Sequence, residues 1–431
     1  MKNIVLGFIL VTLVSCSKTA TSVIKPVIVQ PIVQLPIIVT PLSYIGKTSY
    51  SVKVPQQGFV NIDSLRTVFG VRNVGQWNGN GSLGFTYIDI NNDGLEDILY
   101  TIRTDIPYTK YRPVVFLKTK SGGYTYDDNA SQLPADYKGS YDCRKIIVGD
   151  FNNDSIPDML LATMSPDGVT DPTLQDGSAL FISQKGNPTY KQVELPAQIK
   201  DIAFHGIAAG DINNDGKLDV VCVGSRWPRI LYGNGDGTFN YTEWIQYDNH
   251  DYLSVEIVDV NKDGLNDIIM GGAEYKAFGP TKINKSVIFW NKTGMINNSD
   301  TTCLPMVDTT SNDYNAVMDI ACADIDGDGI NEIIIDRTTG GQIPFNNKPY
   351  NGFQLAFYKS TNGFKSFTDV TSTFIKTATY PYIEYNTGRW MVHMFLYNEN
   401  GALKLRGDIT TSNISPYTKN WKQNTITKIF E

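Results

Sequence analysis

Five segments of this chain place oxygen-bearing side chains at the same alternate positions. They are Asp89-Ile-Asn-Asn-Asp-Gly-Leu-Glu-Asp97, Asp150-Phe-Asn-Asn-Asp-Ser-Ile-Pro-Asp158, Asp211-Ile-Asn-Asn-Asp-Gly-Lys-Leu-Asp219, Asp259-Val-Asn-Lys-Asp-Gly-Leu-Asn-Asp267 and Asp324-Ile-Asp-Gly-Asp-Gly-Ile-Asn-Glu332. Oxygens at positions 1, 3 and 5, a turn residue at 6, a backbone carbonyl at 7 and a closing acid are the donor set a Ca²⁺ loop needs. Carboxylates crowded this closely repel one another unless a cation sits among them. The expected metal ligands are therefore Asp89, Asn91, Asp93, Leu95 and Asp97 in the first loop, and Asp150, Asn152, Asp154, Ile156 and Asp158 in the second. Asp211, Asn213, Asp215, Lys217 and Asp219 supply the third, and Asp259, Asn261, Asp263, Leu265 and Asp267 the fourth. Asp324, Asp326, Asp328, Ile330 and Glu332 supply the fifth, the seventh residue acting in each case through its carbonyl. About five structural Ca²⁺ ions are the expectation.

The flanks of these loops are strands. Each closing acid leads into an apolar, β-branched run such as Asp219-Val-Val-Cys or Glu332-Ile-Ile-Ile, and a β-prone stretch such as Arg144-Lys-Ile-Ile-Val-Gly149 precedes the loop. A helical calcium hand would instead be followed by an amphipathic helix, so strand, loop, strand is predicted. The first aspartates recur at about sixty-residue intervals, the scale of a propeller blade. A third apolar stretch follows each hairpin (Val114–Leu117, Ala179–Ile182, Arg229–Tyr232, Ser286–Trp290, Gln354–Tyr358), and a fourth opens near Tyr124, Tyr190, Phe239 and Phe364. The fold class predicted is all-β, a β-propeller of four-stranded blades with the calcium loops in the first hairpin of five. Trp390–Leu396, a turn at Tyr397–Gly401 and Ala402–Leu405 read as a sixth blade without the acids. Ser49–Pro55 is expected to complete the last blade and so remove an exposed edge. Six blades fit this count, with seven as the alternative if residues 56–82 form one more.

The hairpins resemble the FG-GAP/VCBS repeats of integrin-α-like propellers, most closely in Ala-Ala-Gly-Asp-Ile-Asn-Asn-Asp-Gly-Lys-Leu-Asp at 208–219. The resemblance spans roughly residues 83–410. It implies that the calcium loops join the first and second strands of each blade, lie on one face and serve a structural role. The Phe-Gly and Gly-Ala-Pro elements of the integrin version are absent, so integrin-like partner choice does not follow.

Residues 1–16 have the features of an export signal: Lys2, the apolar run Ile4–Leu13, and Leu13-Val-Ser-Cys16. The run is too short to span a bilayer. Its end resembles a bacterial lipoprotein signal, which implies cleavage before Cys16, lipidation of its thiol and, with Ser17 following, an outer-membrane location, periplasmic or surface-exposed. Residues 17–43 carry prolines at 26, 31, 36 and 41 and are expected to form an extended stalk, with the propeller over 44–431. Of the remaining cysteines, Cys303 with Cys322 is the one pair that suggests a disulfide; a propeller of this size has core enough to fold without it. The net charge of −7 carries little weight against an anionic ligand. The loops hold 16 of the 44 acids at ligand positions, and five Ca²⁺ ions would bring the balance to about +3.

Recognition is expected on the face opposite the calcium loops. Tyr108, Tyr111, Arg226, Trp227, Tyr275, Phe345 and Tyr350 are the candidate ligand-binding residues, with Arg112, Arg229 and Arg337 nearby in sequence. Aromatic rings stack on sugars or peptide side chains, and arginines pair with carboxylates. A second set, Arg144, His205, Asp251, Tyr252, Tyr314, Arg389 and Trp390, starts the innermost strands and should ring the mouth of the central channel. Some propeller-shaped polysaccharide lyases use a His or Tyr base beside an Arg, which makes His205, Tyr252 and Arg144 the catalytic candidates. No phosphate loop, nucleophile elbow, zinc motif or basic cluster for nucleic acid is present. The sequence thus points to a monomeric, membrane-tethered binding or adhesion module for a glycan or partner protein. A lyase on uronate-containing polysaccharide is the alternative, and a scaffold in an outer-membrane assembly a third.

Overall fold

The computed structural model describes residues 43–44, 60, 62–71, 84–102, 108–164, 177–199, 204–224, 228–243, 252–274, 285–306, 314–339, 353–374, 383–384, 390–399 and 402–410. All of them lie within one compact unit, Ile32–Glu431. The expectations for the export signal, Cys16 and most of the stalk fall outside the described residues.

Strands β2 (Phe85–Ile88), β3 (Asp97–Tyr100), β4 (Val114–Lys118) and β5 (Tyr124–Asp127) form the first antiparallel sheet in sequence order. The second contains β6 (Asp142–Gly149), β7 (Asp158–Met164), β8 (Ala179–Gln184) and β9 (Asn187–Val193). The third contains β10 (Phe204–Gly210), β11 (Asp219–Gly224), β12 (Arg229–Gly233) and β13 (Phe239–Glu243). The fourth contains β14 (Tyr252–Val258), β15 (Asp267–Gly272), β16 (Val287–Asn291) and β17 (Ile296–Cys303). In the fifth, β18 (Tyr314–Ala323), β19 (Glu332–Thr339) and β20 (Phe353–Thr361) are followed by two short strands, β21 (Ser366–Asp369) and β22 (Ile383–Glu384), which pair with opposite ends of β20. The turn α2 (Thr371–Phe374) lies between those two in sequence. The chain is thus an all-β propeller, and each acidic loop sits at the tip of a first hairpin, as its flanks predict.

The acid-free hairpin exists too. β23 (Trp390–Glu399) pairs with β24 (Ala402–Thr410), and the ladder runs up to Glu399↔Ala402, so the turn is tighter than the expected Tyr397–Gly401. The expected closing strand at Ser49–Pro55 lies outside the described residues. A short strand just before it, β1 (Ser43–Tyr44), pairs with Asn398 and Tyr397 of β23. The described part of 56–82 is a helix and not the strands of a further blade: α1 (Ile62–Phe69). Ile62, Leu65 and Phe69 recur at helical spacing, and Gly70 ends the helix at φ +65°, with Val71 N–H donating to the Arg66 carbonyl.

The core lies between sheets. A buried apolar cluster fills each junction from first to sixth, for example Ile146, Met159 and Phe181 against Ile88, Leu99 and Val115, or Met394 and Leu396 against Ile334 and Phe357. Inner strands are covered on both faces, and β6 and β11 are buried throughout. Outer strands such as β17 are mostly half-buried or exposed. The last junction returns to the first sheet: Phe395 of β23 is buried with Phe85, Tyr87 and Phe116, its ring 6.2 Å from that of Phe85. Asp319 Oδ2 of β18 accepts the Met394 N–H at 2.6 Å, tying the fifth sheet to the sixth. Ring closure therefore rests on a few aromatic contacts. Phe395→Ala is expected to cost about 3–4 kcal/mol, read as a drop in the denaturant midpoint; a change within about 0.5 kcal/mol would mean the junction carries no load.

Candidate functional site

The first four loops share one internal geometry. In the first, Asp89 accepts the Asp93 N–H at 3.0 Å and the Gly94 N–H at 2.8 Å. Asn91 accepts the Asp93 N–H at 3.1 Å, and Asp93 accepts the Leu95 N–H at 2.8 Å. The second, third and fourth loops repeat this arrangement through Asp150, Asp211 and Asp259. Two residues per loop are left-handed. Position 6 is Gly or Ser155, as expected, but position 4 (Asn92, Asn153, Asn214, Lys262, Gly327) also has φ between 58° and 76°. The repeated Asn is the signal for it, since Asn tolerates that region better than most residues.

The ninth acid is fully buried in all five loops. In the first four it joins the loop to the third strand. Asp97 accepts the N–H groups of Ile90 (3.3 Å) and Lys118 (2.7 Å). Asp158 accepts those of Phe151 (2.8 Å) and Ser183 (2.7 Å), and Asp219 those of Ile212 (2.8 Å) and Gly233 (2.9 Å). Asp267 accepts those of Val260 (3.0 Å) and Asn291 (2.8 Å). Burial pushes these carboxyls up, to about 7 for Asp97 and Asp267 and about 6 for Asp158 and Asp219, against the lowering effect of the N–H donors. Among the described residues none of these four aspartates forms an ion pair. Inward oxygens held by backbone donors, beside a buried carboxylate with no counter-charge, fit a hard divalent cation such as calcium.

The fifth loop differs. Its ninth acid is Glu332, whose Oε1 lies 2.9 Å from the Lys359 ammonium; the same ammonium lies 2.5 Å from Asp326 and 2.7 Å from Asp328. Lys262, from the fourth loop, reaches Asp324 at 3.3 Å and the Gly329 carbonyl at 3.0 Å. Neighbouring loops are also linked directly, by Asn266 Nδ2 on the Asp211 carbonyl and Asn331 Nδ2 on those of Asp259 and Val260. The third, fourth and fifth loops therefore lie side by side on one face.

At the axis the inner strands share a bulge. The register skips Arg144, His205, Leu253, Met318 and Val392 at equivalent places in β6, β10, β14, β18 and β23. A cavity of about 30 Å³ is lined from five sheets by Arg144, His205, Ser254, Asp319 and His393 among others. Arg144 and His205 thus come together as expected, but Tyr252 does not join them. It is the residue before the bulge, and it packs in the apolar cluster between the third and fourth sheets. A one-residue offset in a strand turns a side chain to the other face. Arg144 already has a carboxylate beside it, Asp142 at 3.9 Å. Asp251 and Arg389 lie outside the described residues, as do the side chains of Tyr314 and Trp390.

Arg226, Trp227, Tyr275, Phe345 and Tyr350, which lie in sequence between second and third strands, fall outside the described residues. Tyr108 is half-buried, and Tyr111 packs on the first core and bridges Ser140. Two arginines expected near the ligand are structural. Arg112 donates to the carbonyls of Asn129, Ala130, Leu133, Pro134 and Tyr137, pinning that turn. Arg337 is fully buried and pairs with Glu274 through Nε (2.9 Å) and Nη2 (3.1 Å), joining the fourth and fifth sheets. Arg229 is buried too, 6.0 Å from the Phe204 ring. The described cysteines are free thiols, Cys322 buried and Cys303 exposed. Among the described residues no helix is long and apolar enough to cross a membrane.

A ring of four-stranded sheets with acidic loops at the first hairpins defines the chain as a β-propeller. Residues 174–270, which contain the third and fourth loops, match the family model of the FG-GAP-like repeat. No curated protein matches the sequence. Among solved structures, a lectin of Agrocybe aegerita that recognises non-reducing terminal N-acetylglucosamine is 14% identical, with 79% of this chain and 83% of that one covered and a TM-score of 0.43. The V. cholerae biofilm matrix protein Bap1 is 14% identical, with 83% of this chain but only 53% of Bap1 covered and a TM-score of 0.34. A Tc holotoxin pore of Photorhabdus luminescens is 15% identical, with 76% of this chain and 16% of that one covered and a TM-score of 0.32.

Two outcomes follow from these contacts. Glu274→Gln leaves the Arg337 guanidinium buried with its charge unanswered and should cost about 3–5 kcal/mol; a loss under 1 kcal/mol in chemical unfolding would show the pair to be dispensable. Separately, the ninth aspartates hold protons in the folded chain that the unfolded chain releases near 3.8. Their stabilising contribution is complete below that value and lost as pH rises through about 6 to 7. In chelator the melting temperature should therefore fall between about pH 4 and pH 7, and a rise across that window would contradict the assignment.

Proposed function

We propose that this chain is a calcium-stabilised, six-bladed binding or adhesion propeller that holds a glycan without transforming it, carried on an outer-membrane lipoprotein. The observation that carries the binding reading over the lyase is the bulge at the axis. Its residue in β14 is Leu253; Tyr252, one place earlier, is in the core, and Arg144 and His205 line a cavity of about 30 Å³, room for a water and not for a sugar ring. The ninth acids, Arg112 and Arg337 are engaged in holding the fold. Recognition then falls to the segments between second and third strands, where the sequence concentrates Arg226, Trp227, Tyr275, Phe345 and Tyr350. Antiparallel pairing makes those segments leave the end of each sheet opposite the acidic loops. Aromatic faces supply stacking area for sugar rings at low conformational cost.

The test is a panel of neutral and acidic polysaccharides offered to the protein in millimolar Ca²⁺, with gel retardation and ultraviolet absorbance recorded together. Retardation without new absorbance is expected, weakened about tenfold or more by Trp227→Ala or Tyr275→Ala. Absorbance from unsaturated uronates would replace the binding reading with the lyase. A panel blank in both, with a membrane protein captured instead, would favour the scaffold.

A further inference from the structure

We propose that the fifth loop carries its own cation: the Lys359 ammonium takes the place that calcium takes in the other four, so the protein binds four ions and not five. The proposal rests on the calcium reading of the first four loops. Glu332 pairs with Lys359 across β19 and β20. Extending each second-to-third-strand ladder by one pair puts Leu117, Ile182, Tyr232 and Trp290 opposite the ninth acids of the other loops. Four apolar or aromatic residues and one lysine occupy the same structural position. The lysine stands in the one blade whose loop has a fourth ligand acid, with Asp326 at position 3 where the others have Asn.

The geometry matches a resident ammonium. Lys359 Nζ has three carboxylates within 2.9 Å, one each from positions 3, 5 and 9. Asp324, Asp326 and Glu332 have ligand oxygens within 4.8 Å of one another, the only three acidic side chains to converge so among the described residues. The ninth residue has adapted as well. In the first four loops the second oxygen of the aspartate accepts a third-strand N–H. Glu332, one methylene longer, keeps the bond to the loop N–H (Ile325, 2.8 Å) and turns its other oxygen to the ammonium. Lys262 answers the remaining acid, Asp324. A Ca²⁺ ion about 2.3–2.6 Å from Asp326 and Glu332 could not share those oxygens with an ammonium already in contact with them. The nearest parallel elsewhere is Lys217 in the third loop, which touches only the exposed Asp215, at 3.4 Å, and leaves the buried Asp219 alone.

The experiment counts Ca²⁺ on the full chain, stripped with chelator and titrated by equilibrium dialysis with native mass spectrometry. Four ions are expected for the wild type and five for Lys359→Met. Because that variant could lose the blade, a second pair of variants keeps the question open to refutation. Asp326→Asn should still bind four, whereas Asp215→Asn should bind three. Five ions on the wild type, or a loss of one with Asp326→Asn, would overturn the proposal. So would a folded Lys359→Met protein that binds only four. No ion bound by any form would remove the calcium reading itself and this inference with it.

Discussion

Burying a carboxylate is costly unless hydrogen bonds or a counter-charge answer it, and this propeller does so at the ninth position of every acidic loop. That one side chain fastens three parts of a blade together. One oxygen closes the loop between the first two strands, and in four sheets the other accepts an N–H from the third. The loop cannot move without breaking the hairpin, nor the third strand shift without orphaning the acid. In the fifth sheet the same position is held by an ion pair with Lys359. The rest of each blade, down to the split outer strand of the fifth, is built outward from this anchor.

Between blades the logic is apolar burial with a few polar ties. Clusters of Ile, Val, Leu and Phe fill every junction, and the non-local ties are specific: Asn266 and Asn331 chain the loops, while Glu274 and Arg337 clamp two sheets. Where the acids are missing, in the β23–β24 hairpin, the blade is held by Phe395 packing against the first sheet and by Asp319 on the Met394 N–H. A propeller without open edges needs its last junction as much as its first.

The repeated bulge bears most directly on function. Five inner strands insert one extra residue at the same height, and a cavity of about 30 Å³ lies among them. Bulges commonly re-aim side chains near functional sites. Here Leu253 takes the position of Arg144 and His205, and Tyr252, one place before it, is apart from both, though sequence spacing alone had grouped the three.

The blade was legible in the sequence because its signals are local: alternating oxygens, a turn glycine and β-branched runs recur within a single hairpin. The strand order, the loop positions, the left-handed sixth residue and the acid-free hairpin could all be read that way. Tertiary structure decided what depends on distant partners. Arg112 and Arg337 look like ligand-face arginines until the carbonyls at 129–137 and Glu274 are seen to claim them. The helix at Ile62–Phe69 is too short for its period to outweigh a strand reading. Lys359 lies 27 residues from the acid it pairs with, and no spacing rule connects them. A carboxylate pattern states what charge must be neutralised; only the fold shows which cation is within reach.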